Sequence, residues 1–91
     1  MSPTLLMTVD SVLELRGKPV LLPGVDDDHP HRLLGQTVRI VRPDGTSFRS
    51  TVHGVEFPNP NPLRRYPIRL ASTSLEHHVP PGSEVWYLGG G

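Results

Sequence analysis

The stretch TVRIVRPDGTSFRSTVHGVEF, residues 37–57, decides the fold class of this chain. Short apolar segments flank Pro43-Asp44-Gly45, where the proline sets φ for the first turn position and the glycine accepts a left-handed conformation. The apolar positions change parity between Val52 and Val55. The pattern therefore predicts an antiparallel β-hairpin with a β-bulge at Gly54, which resets the phase of the second strand.

Upstream of the hairpin, one long segment alternates between apolar and polar residues. Its odd positions carry Leu5, Met7, Val9, Leu13 and Leu15. This period of two predicts a single strand over residues 5–15 with one buried face. Gly17-Lys18 ends the strand. Residues 19–25, PVLLPGV, predict a second short strand, which its prolines confine to a sheet edge or to strand ends.

The remaining segments are short and are separated by turn residues. Residues 26–32 predict a polar loop. Residues 58–67 predict an extended proline-rich loop, because four of these ten residues lack a backbone donor. Residues 68–70 and 85–88 predict two further strands. Between them, residues 72–79 predict one helical turn and residues 80–82 predict a tight turn.

Six short strands without any helical period predict an all-β fold, a small six-stranded antiparallel β-barrel. We expect a single domain over residues 1–91, with its core over about residues 5–88. Trp86 and Tyr87 are adjacent on the last strand. One of them should face the core and the other the solvent, and the alternation does not say which.

The composition argues against several classes of function. Nine basic residues balance nine acidic ones, so no overall field attracts nucleic acid or an anionic membrane. No apolar run approaches the roughly 20 residues that a membrane-spanning helix needs. Because cysteine is absent, we expect a cytoplasmic protein without disulfides. No Gly-x-x-x-x-Gly-Lys-Ser/Thr segment is present, so we expect no bound nucleotide.

Two histidine-containing segments raise the question of a metal site. Residues 26–31, DDDHPH, concentrate carboxylates and imidazoles, but consecutive loop residues rarely converge on one ion. His77-His78 has the same limitation. We expect solvated segments, no metal and no other cofactor. Serine, histidine and aspartate occur without the Gly-x-Ser-x-Gly elbow, so we expect no catalytic residues.

Basic residues offer a candidate nucleic-acid surface. Arg39, Arg42 and Arg49 should lie near one another on the hairpin, and residues 64–66, RRY, add a basic loop with a ring that can stack on a base. An ordinary solvated face is the alternative interpretation. The zero net charge of the chain favours that alternative, because phosphate neutralisation supplies most of the affinity for nucleic acids.

The order of these features resembles domain 2 of elongation factor Tu and of related translational GTPases. The matching segments follow one another over nearly the whole chain, from about Leu5 to Leu88. They are Thr8-Val9-Asp10-Ser11-Val12, Gly17-Lys18, residues 19–25, Leu34-Gly35-Gln36, Val38-Arg39-Ile40-Val41, Gly54-Val55-Glu56 and residues 79–85. The resemblance implies the β-barrel of that family without its GTPase domain.

In those factors the barrel contributes to the pocket for the aminoacylated end of transfer RNA. The resemblance therefore implies a ligand or partner groove in this chain, formed by Asp10, Leu15, Gly17, Val20 and Glu56. The proline-rich loop departs from the family, which has an Ala-Gly-Asp segment before its fifth strand. This difference leaves open any ligand contact made from that side of the barrel.

The tip of the proline-rich loop is a second candidate contact surface. An extended, φ-restricted segment is suited to docking on a partner, and the tip carries Leu63, Arg64, Arg65 and Tyr66. We expect a non-enzymatic binding or adaptor module whose partner is a protein. Two alternatives stay open: an RNA-binding accessory of translation that contacts transfer RNA or the ribosome, and a small metal-dependent hydrolase.

Overall fold

The computed structural model describes residues 3–71 and 78–88. These residues form seven β-strands and one short 3₁₀ helix, Pro30–Leu33. The strands are β1 (Thr4–Thr8), β2 (Ser11–Leu15), β3 (Lys18–Val25), β4 (Thr37–Val41), β5 (Ser47–Val55), β6 (Tyr66–Leu70) and β7 (Glu84–Tyr87). The prediction of an all-β fold is confirmed. The helical turn predicted over residues 72–79 lies largely outside the described residues.

All seven strands pair antiparallel in one sheet, in the order β1-β7-β4-β5-β6-β3-β2. The sheet curls into a half-barrel, and only two residues, Val9 and Asp10, join its edge strands β1 and β2. The Val9 N–H donates to the Ser83 carbonyl at 2.7 Å, and the Asp10 N–H donates to the Leu22 carbonyl at 2.8 Å. The chain therefore passes from one edge of the sheet to the other within this anchored link.

The single strand predicted over residues 5–15 is wrong, which is why the structure has seven strands and not six. β1 pairs with β7, whereas β2 pairs with β3 at the other edge of the sheet. Met7 is buried, but Leu13 and Leu15 are 56% and 42% exposed. The buried face is interrupted twice. A register shift between Leu5 and Met7 turns Leu5 outward, and beyond the link β3, and not β7, sets the pairing of β2.

The predicted β4–β5 hairpin and its turn are confirmed. The Arg42 carbonyl accepts the N–H of Gly45 at 2.9 Å, and Gly45 has a φ of +90°. The Asp44 carboxylate accepts hydrogen bonds from the hydroxyl of Thr46 at 2.6 Å and from its N–H at 2.9 Å. These bonds lower the pKa of Asp44 because they favour the ionised carboxylate.

The predicted β-bulge at Gly54 is also confirmed. Val52 and Gly54 pair with the consecutive residues Leu70 and Arg69, so the register shifts by one position. Val52 belongs to the buried core, and Val55 packs against it despite its different parity. The bulge is what allows both side chains to face inward.

Two proline-containing segments form interior strands. For residues 19–25 this excludes the sheet edge, which is one of the two predicted positions, and for residues 66–67 it contradicts the predicted loop. β3 lies between β2 and β6, and β6 lies between β3 and β5. Tyr66 and Pro67, assigned by the sequence pattern to the loop over residues 58–67, are the first two residues of β6. The proline-rich loop therefore spans residues 56–65, and the two prolines of β3 do not restrict that strand to an edge.

Gly24 shows how these prolines are accommodated. The β3–β6 register shifts between Leu21 and Val25, in a bulge that also contains the second proline of β3. Within the bulge Gly24 has a φ of +120° and lies directly against the Tyr66–Pro67 peptide. Because the ladder is interrupted here, the N–H that Pro23 lacks is not required for pairing with β6. The Pro67 carbonyl accepts the Glu56 N–H at 2.8 Å, so the missing N–H of Pro67 faces the other side, one residue beyond the end of β5 at Val55.

The core fills the inside of the half-barrel. Tyr87 packs against it, whereas Trp86 lies on the outer face opposite Arg39. The structure thus decides which of the two aromatic residues of β7 faces inward. No helix in the described part of the chain is long and apolar enough to cross a membrane. The core cluster consists of Met7, Val9, Leu21, Val25, Leu33, Val38, Ile40, Val52, Ile68, Leu70, Val79 and Val85.

Candidate functional site

Four strands, β2, β3, β6 and β5, carry most of the groove implied by the resemblance. One register row crosses all four on the outer face: Leu13 opposes Val20, Val20 opposes Arg69, and Arg69 opposes Gly54. Val20 is 3% exposed without belonging to the core cluster, so it is buried on the outer side of the sheet. This row therefore links an exposed leucine to a guanidinium through a buried valine.

The other groove residues flank this row. Leu15 and Gly17 lie at the β2–β3 turn, and Glu56 directly follows β5. Asp10 lies at the opposite end of β2, in the link from β1. Leu15 and Glu56 share the outer face of the sheet. Two strands, β3 and β6, separate Asp10 from Glu56, so the structure does not bring these two carboxylates together.

Arg69 is a residue of this face that the sequence analysis missed. Its Nη1 donates to Glu56 Oε1 at 3.1 Å, and its guanidinium lies over Gly54, where a Cβ would collide with it. The Arg69 and Glu56 side chains are 29% and 40% exposed, so their ion pair contributes about 0.2–1 kcal/mol. The Arg69 Nε–H is buried without a partner among the described residues. The glycine at the bulge was the only sequence signal for this arrangement.

A small cavity of about 190 Å³ lies beside the β2–β3 turn. The Nζ of Lys18 donates to the Ala71 carbonyl at 2.9 Å, which holds one cation of the cavity in place. No carboxylate of the described residues lines the cavity, so this end of the outer face is positive. The cavity is lined by Leu15, Arg16, Lys18, His53 and Arg69.

β2 is an edge strand, and no residue of the described ranges 3–71 and 78–88 pairs with its outer side. All five of its residues are exposed, including the apolar Val12, Leu13 and Leu15. Natural proteins usually protect such edges with charges, prolines, bulges or a covering element, because a free edge can pair with another chain. β2 carries one charged residue, Glu14, but no proline or bulge, and no described element covers its free edge.

The β2–β3 turn determines which backbone groups of β2 face outward. The turn residues Arg16-Gly17 have φ values of +53° and +78°, as a type I′ hairpin requires. In this hairpin the pair that flanks the turn, Leu15 and Lys18, is hydrogen-bonded, and the bonding alternates along the ladder. The N–H and C=O groups of Val12 and Glu14 consequently point away from β3.

The proline-rich loop is held by its own side chains. Asn61 Nδ2 donates to the Arg65 carbonyl at 2.9 Å, and Asn61 Oδ1 accepts the Arg65 N–H at 3.2 Å. Arg65 Nη1 also lies 3.6 Å from Asp26 Oδ2. Leu63 is 75% exposed, and the neighbouring Arg64 has a φ of +53°. Leu63 and Arg64 therefore form the tip of the loop.

Tyr66, which the sequence analysis placed at the same tip, lies elsewhere. It begins β6, where it pairs with Val25, and its ring packs against the core cluster. The ring also contacts that of Phe57, with 5.6 Å between the centroids. Strand pairing turns the aromatic ring inward, so Tyr66 does not offer a stacking surface together with Leu63.

The acidic loop before the 3₁₀ helix is organised by Asp27. Asp27 Oδ1 accepts the His29 N–H at 2.8 Å, and Oδ2 lies 3.0 Å from Arg32 Nη2. Burial raises the pKa of Asp27, but the hydrogen bonds and the charge of Arg32 outweigh it and lower the pKa. No group of three or more metal-binding side chains converges within the described ranges, and His77 lies outside them.

We expect Asp27→Asn to destabilise the protein near neutral pH and to have less effect in acid. A carboxyl group with a lowered folded-state pKa stabilises the fold above its unfolded pKa of about 3.9, and this contribution is lost as the pH falls through the folded pKa. Urea denaturation at about pH 7 and about pH 3 measures the difference. The control is Asp28→Asn, at an exposed residue that forms no ion pair with any other described residue. An equal effect of Asp27→Asn at both pH values would contradict this expectation.

The described residues thus place an exposed apolar edge strand next to a positive cavity on one outer face. We refer to β2, residues 11–15, together with the cavity beside its turn as the β2 site. The acidic loop contributes no residue to it, and the proline-rich loop contributes only Glu56, through the ion pair of its carboxylate with Arg69. Comparison of the chain with protein-family models, with curated proteins and with solved structures found no match.

Proposed function

We propose that this chain is a non-enzymatic binding module that captures an extended segment of a partner protein along β2. The observation that carries the proposal is that all five residues of β2 are exposed on a sheet edge that no described residue covers. A free strand edge accepts a further strand through main-chain hydrogen bonds, and the alternate side chains provide specificity. The outward-facing N–H and C=O groups of Val12 and Glu14 supply the hydrogen bonds.

The side chains of β2 suit a partner strand with alternating apolar residues. Leu13 and Leu15 lie on the outer face, next to the buried Val20, whereas Val12 lies on the inner face opposite Leu21. Full burial of one Leu or Val side chain contributes about 1.5–3 kcal/mol. Part of this gain is offset by the cost of ordering the partner segment.

The positive charges beside the β2–β3 turn favour an acidic residue at the end of the partner segment that lies there. Arg16, Lys18 and Arg69 surround the cavity beside Leu15, and no described carboxylate enters it. An aspartate or glutamate of the partner would pair with these cations. Glu56 belongs to the site indirectly, because its ion pair holds the Arg69 guanidinium at the cavity.

A library of random peptides of about twelve residues tests the proposal. We expect the selected peptides to alternate apolar residues and to carry a carboxylate near one end. Val12→Pro removes an N–H that faces away from β3, so it should lower peptide affinity about tenfold or more while the fold, checked by circular dichroism, is retained. The matched control Val12→Thr keeps both the N–H and the β-branched shape and should bind within about twofold of wild type.

Equal peptide affinities of Val12→Pro and Val12→Thr would contradict capture by strand pairing. A Leu63→Ala variant tests the alternative that the peptide binds at the tip of the proline-rich loop. Leu63 lies at the tip of the proline-rich loop and is highly exposed, so its truncation should not affect a peptide bound at β2. Loss of binding in Leu63→Ala alone would move the partner surface to that loop.

A further inference from the structure

A second surface lies on the outer face of β1, β7, β4 and β5, which is the part of the sheet farthest from β2 along the strand order. One register row runs through Leu5, Trp86, Arg39 and Arg49, each opposite the next on the neighbouring strand. The row places one large aromatic ring beside two guanidinium groups. A shallow depression of about 510 Å³ lies here, lined by Pro3, Arg39, Val41, Arg49, Trp86 and Leu88.

No described carboxylate forms an ion pair with the two guanidinium groups of this row. Arg39 and Arg49 are directly opposite each other, and like charges in that position destabilise a sheet. Among the described residues neither forms an ion pair. The Glu84 carboxylate shares this face, but it accepts the indole N–H of Trp86 at 3.2 Å and thereby orients the ring. An anionic ligand would relieve the repulsion between the arginines.

Arg42, which the hairpin pattern grouped with these two arginines, is engaged elsewhere. Its Nε donates to the His78 carbonyl at 2.9 Å, and its guanidinium lies 4.7 Å from the centroid of the Phe48 ring. The candidate surface therefore contains only two of the three arginines that the sequence pattern grouped together. It consists of Trp86, Arg39 and Arg49, which we call the Trp86 face.

We propose that the Trp86 face binds single-stranded nucleic acid, with a base stacked on Trp86 and two phosphates paired with Arg39 and Arg49. Base stacking on an aromatic side chain is tolerant of sequence and contributes about 1–3 kcal/mol per base. The planar guanidinium group matches the geometry of a phosphate. This binding is independent of peptide capture at β2, since the two surfaces share no residue.

Charge considerations set the expected salt dependence. The chain has zero net charge, so no long-range field adds to the local contacts. Two phosphate contacts on a single strand give a slope of log K against log salt of about −1.4, at about −0.7 for each contact. The binding is therefore of low affinity and only mildly sensitive to salt, unlike that of a strongly basic protein.

The single tryptophan of the chain reports directly on this surface. We would follow its fluorescence while titrating hexauridylate, hexathymidylate, an abasic hexamer of equal charge, and hexaglutamate. Both base-containing hexamers should quench Trp86, whereas the abasic hexamer and the peptide should bind about tenfold or more weakly because they offer no base to stack. The ratio of the two base-containing affinities then distinguishes an RNA ligand from a DNA ligand.

Charge-removing variants locate the phosphate contacts. Arg39→Gln and Arg49→Gln should each lower the hexauridylate affinity about tenfold and reduce the salt slope by about 0.7. Arg64→Gln, which makes the same charge change at the exposed tip of the proline-rich loop, should leave both quantities unchanged. Urea midpoints close to that of wild type would show that the outer-face variants are folded.

Three results would overturn the proposal. The first is the absence of quenching by either base-containing hexamer up to about 1 mM. The second is unchanged binding in the double variant Arg39→Gln/Arg49→Gln. The third is equal affinity for the abasic hexamer or for hexaglutamate, which would define a surface for anions in general or for acidic proteins. The Val12→Pro variant should not affect any of these titrations, so failure here is distinguishable from failure of peptide capture.

Discussion

Gly24→Ala is expected to lower the free energy of unfolding by about 3 kcal/mol or more. Gly24 has a φ of +120°, and a Cβ at this position would overlap the carbonyl carbon and the nitrogen of the Tyr66–Pro67 peptide. That peptide is the backbone of an interior strand, so it cannot rotate away as a flexible side chain could. The loss is a large share of the roughly 5–14 kcal/mol expected for a domain of this length.

Gly45→Ala is the matched control for the effect of the positive φ alone. Gly45 has a φ of +90° at the β4–β5 turn, but no described residue other than its two chain neighbours has an atom within 4 Å of the position that its Cβ would occupy. We therefore expect a cost of about 1–2 kcal/mol from the backbone conformation. Urea denaturation of both variants measures the difference. Equal losses would show that the close approach of β3 to β6 does not constrain the fold.

Met7→Ala and Leu13→Ala should differ strongly in stability although both residues belong to one alternating sequence segment. Met7 is 6% exposed and belongs to the core cluster, so its truncation should cost about 2–5 kcal/mol. Leu13 is mostly exposed on β2, and its truncation should change the free energy of unfolding by no more than about 0.5 kcal/mol.

For peptide affinity we expect the opposite order: Leu13→Ala should cause a larger loss than Met7→Ala. Leu13→Ala removes a side chain that contacts the proposed partner strand, so it should weaken binding while leaving the fold intact. Thermal denaturation and peptide titration on one set of samples provide both measurements, with Leu63→Ala as the exposed control. A large stability loss in Leu13→Ala would show that the predicted continuous strand with one buried face was right after all.

Local patterns predicted those elements whose determinants lie close together in sequence. The β4–β5 hairpin depends on Pro43-Asp44-Gly45 and on strands that directly flank it, and the Asp44 carboxylate bonds to a residue two positions away. The bulge at Gly54 could be located because the parity of the apolar positions changes around a glycine. Each of these signals is complete within about ten residues of sequence.

The N-terminal segment shows why alternation alone can fail. A period of two predicts that residues share a face only while they pair with the same neighbour in an uninterrupted register. The register shift between Leu5 and Met7 breaks this condition within β1. β1 and β2 have different neighbours, β7 and β3, and the change takes place at Val9–Asp10, where the two backbone N–H groups donate to Ser83 and Leu22. Nothing in the local pattern marks which distant strand each half will meet.

The prolines of β3 and β6 did not indicate the interior position of these strands, for a related reason. A proline is excluded from an interior strand only where its missing N–H would have had a ladder partner. The β3–β6 ladder is interrupted around Pro23 and Gly24, and Pro67 faces Glu56, one residue beyond the end of β5, so neither missing N–H had a ladder partner. The two segments are some forty residues apart in the sequence, and only their pairing makes the prolines compatible with interior positions.

The sequence by itself determined the all-β class, the central hairpin, the bulge at Gly54 and the balanced charge, because each follows from residue type and short-range spacing. Only the tertiary structure decided that β2 is an exposed edge, that Arg69 lies over Gly54, and that Trp86 shares an outer face with Arg39. The physical reason is that exposure and cross-strand neighbours depend on which strands pair and in what register. These are long-range choices that side-chain periodicity cannot encode.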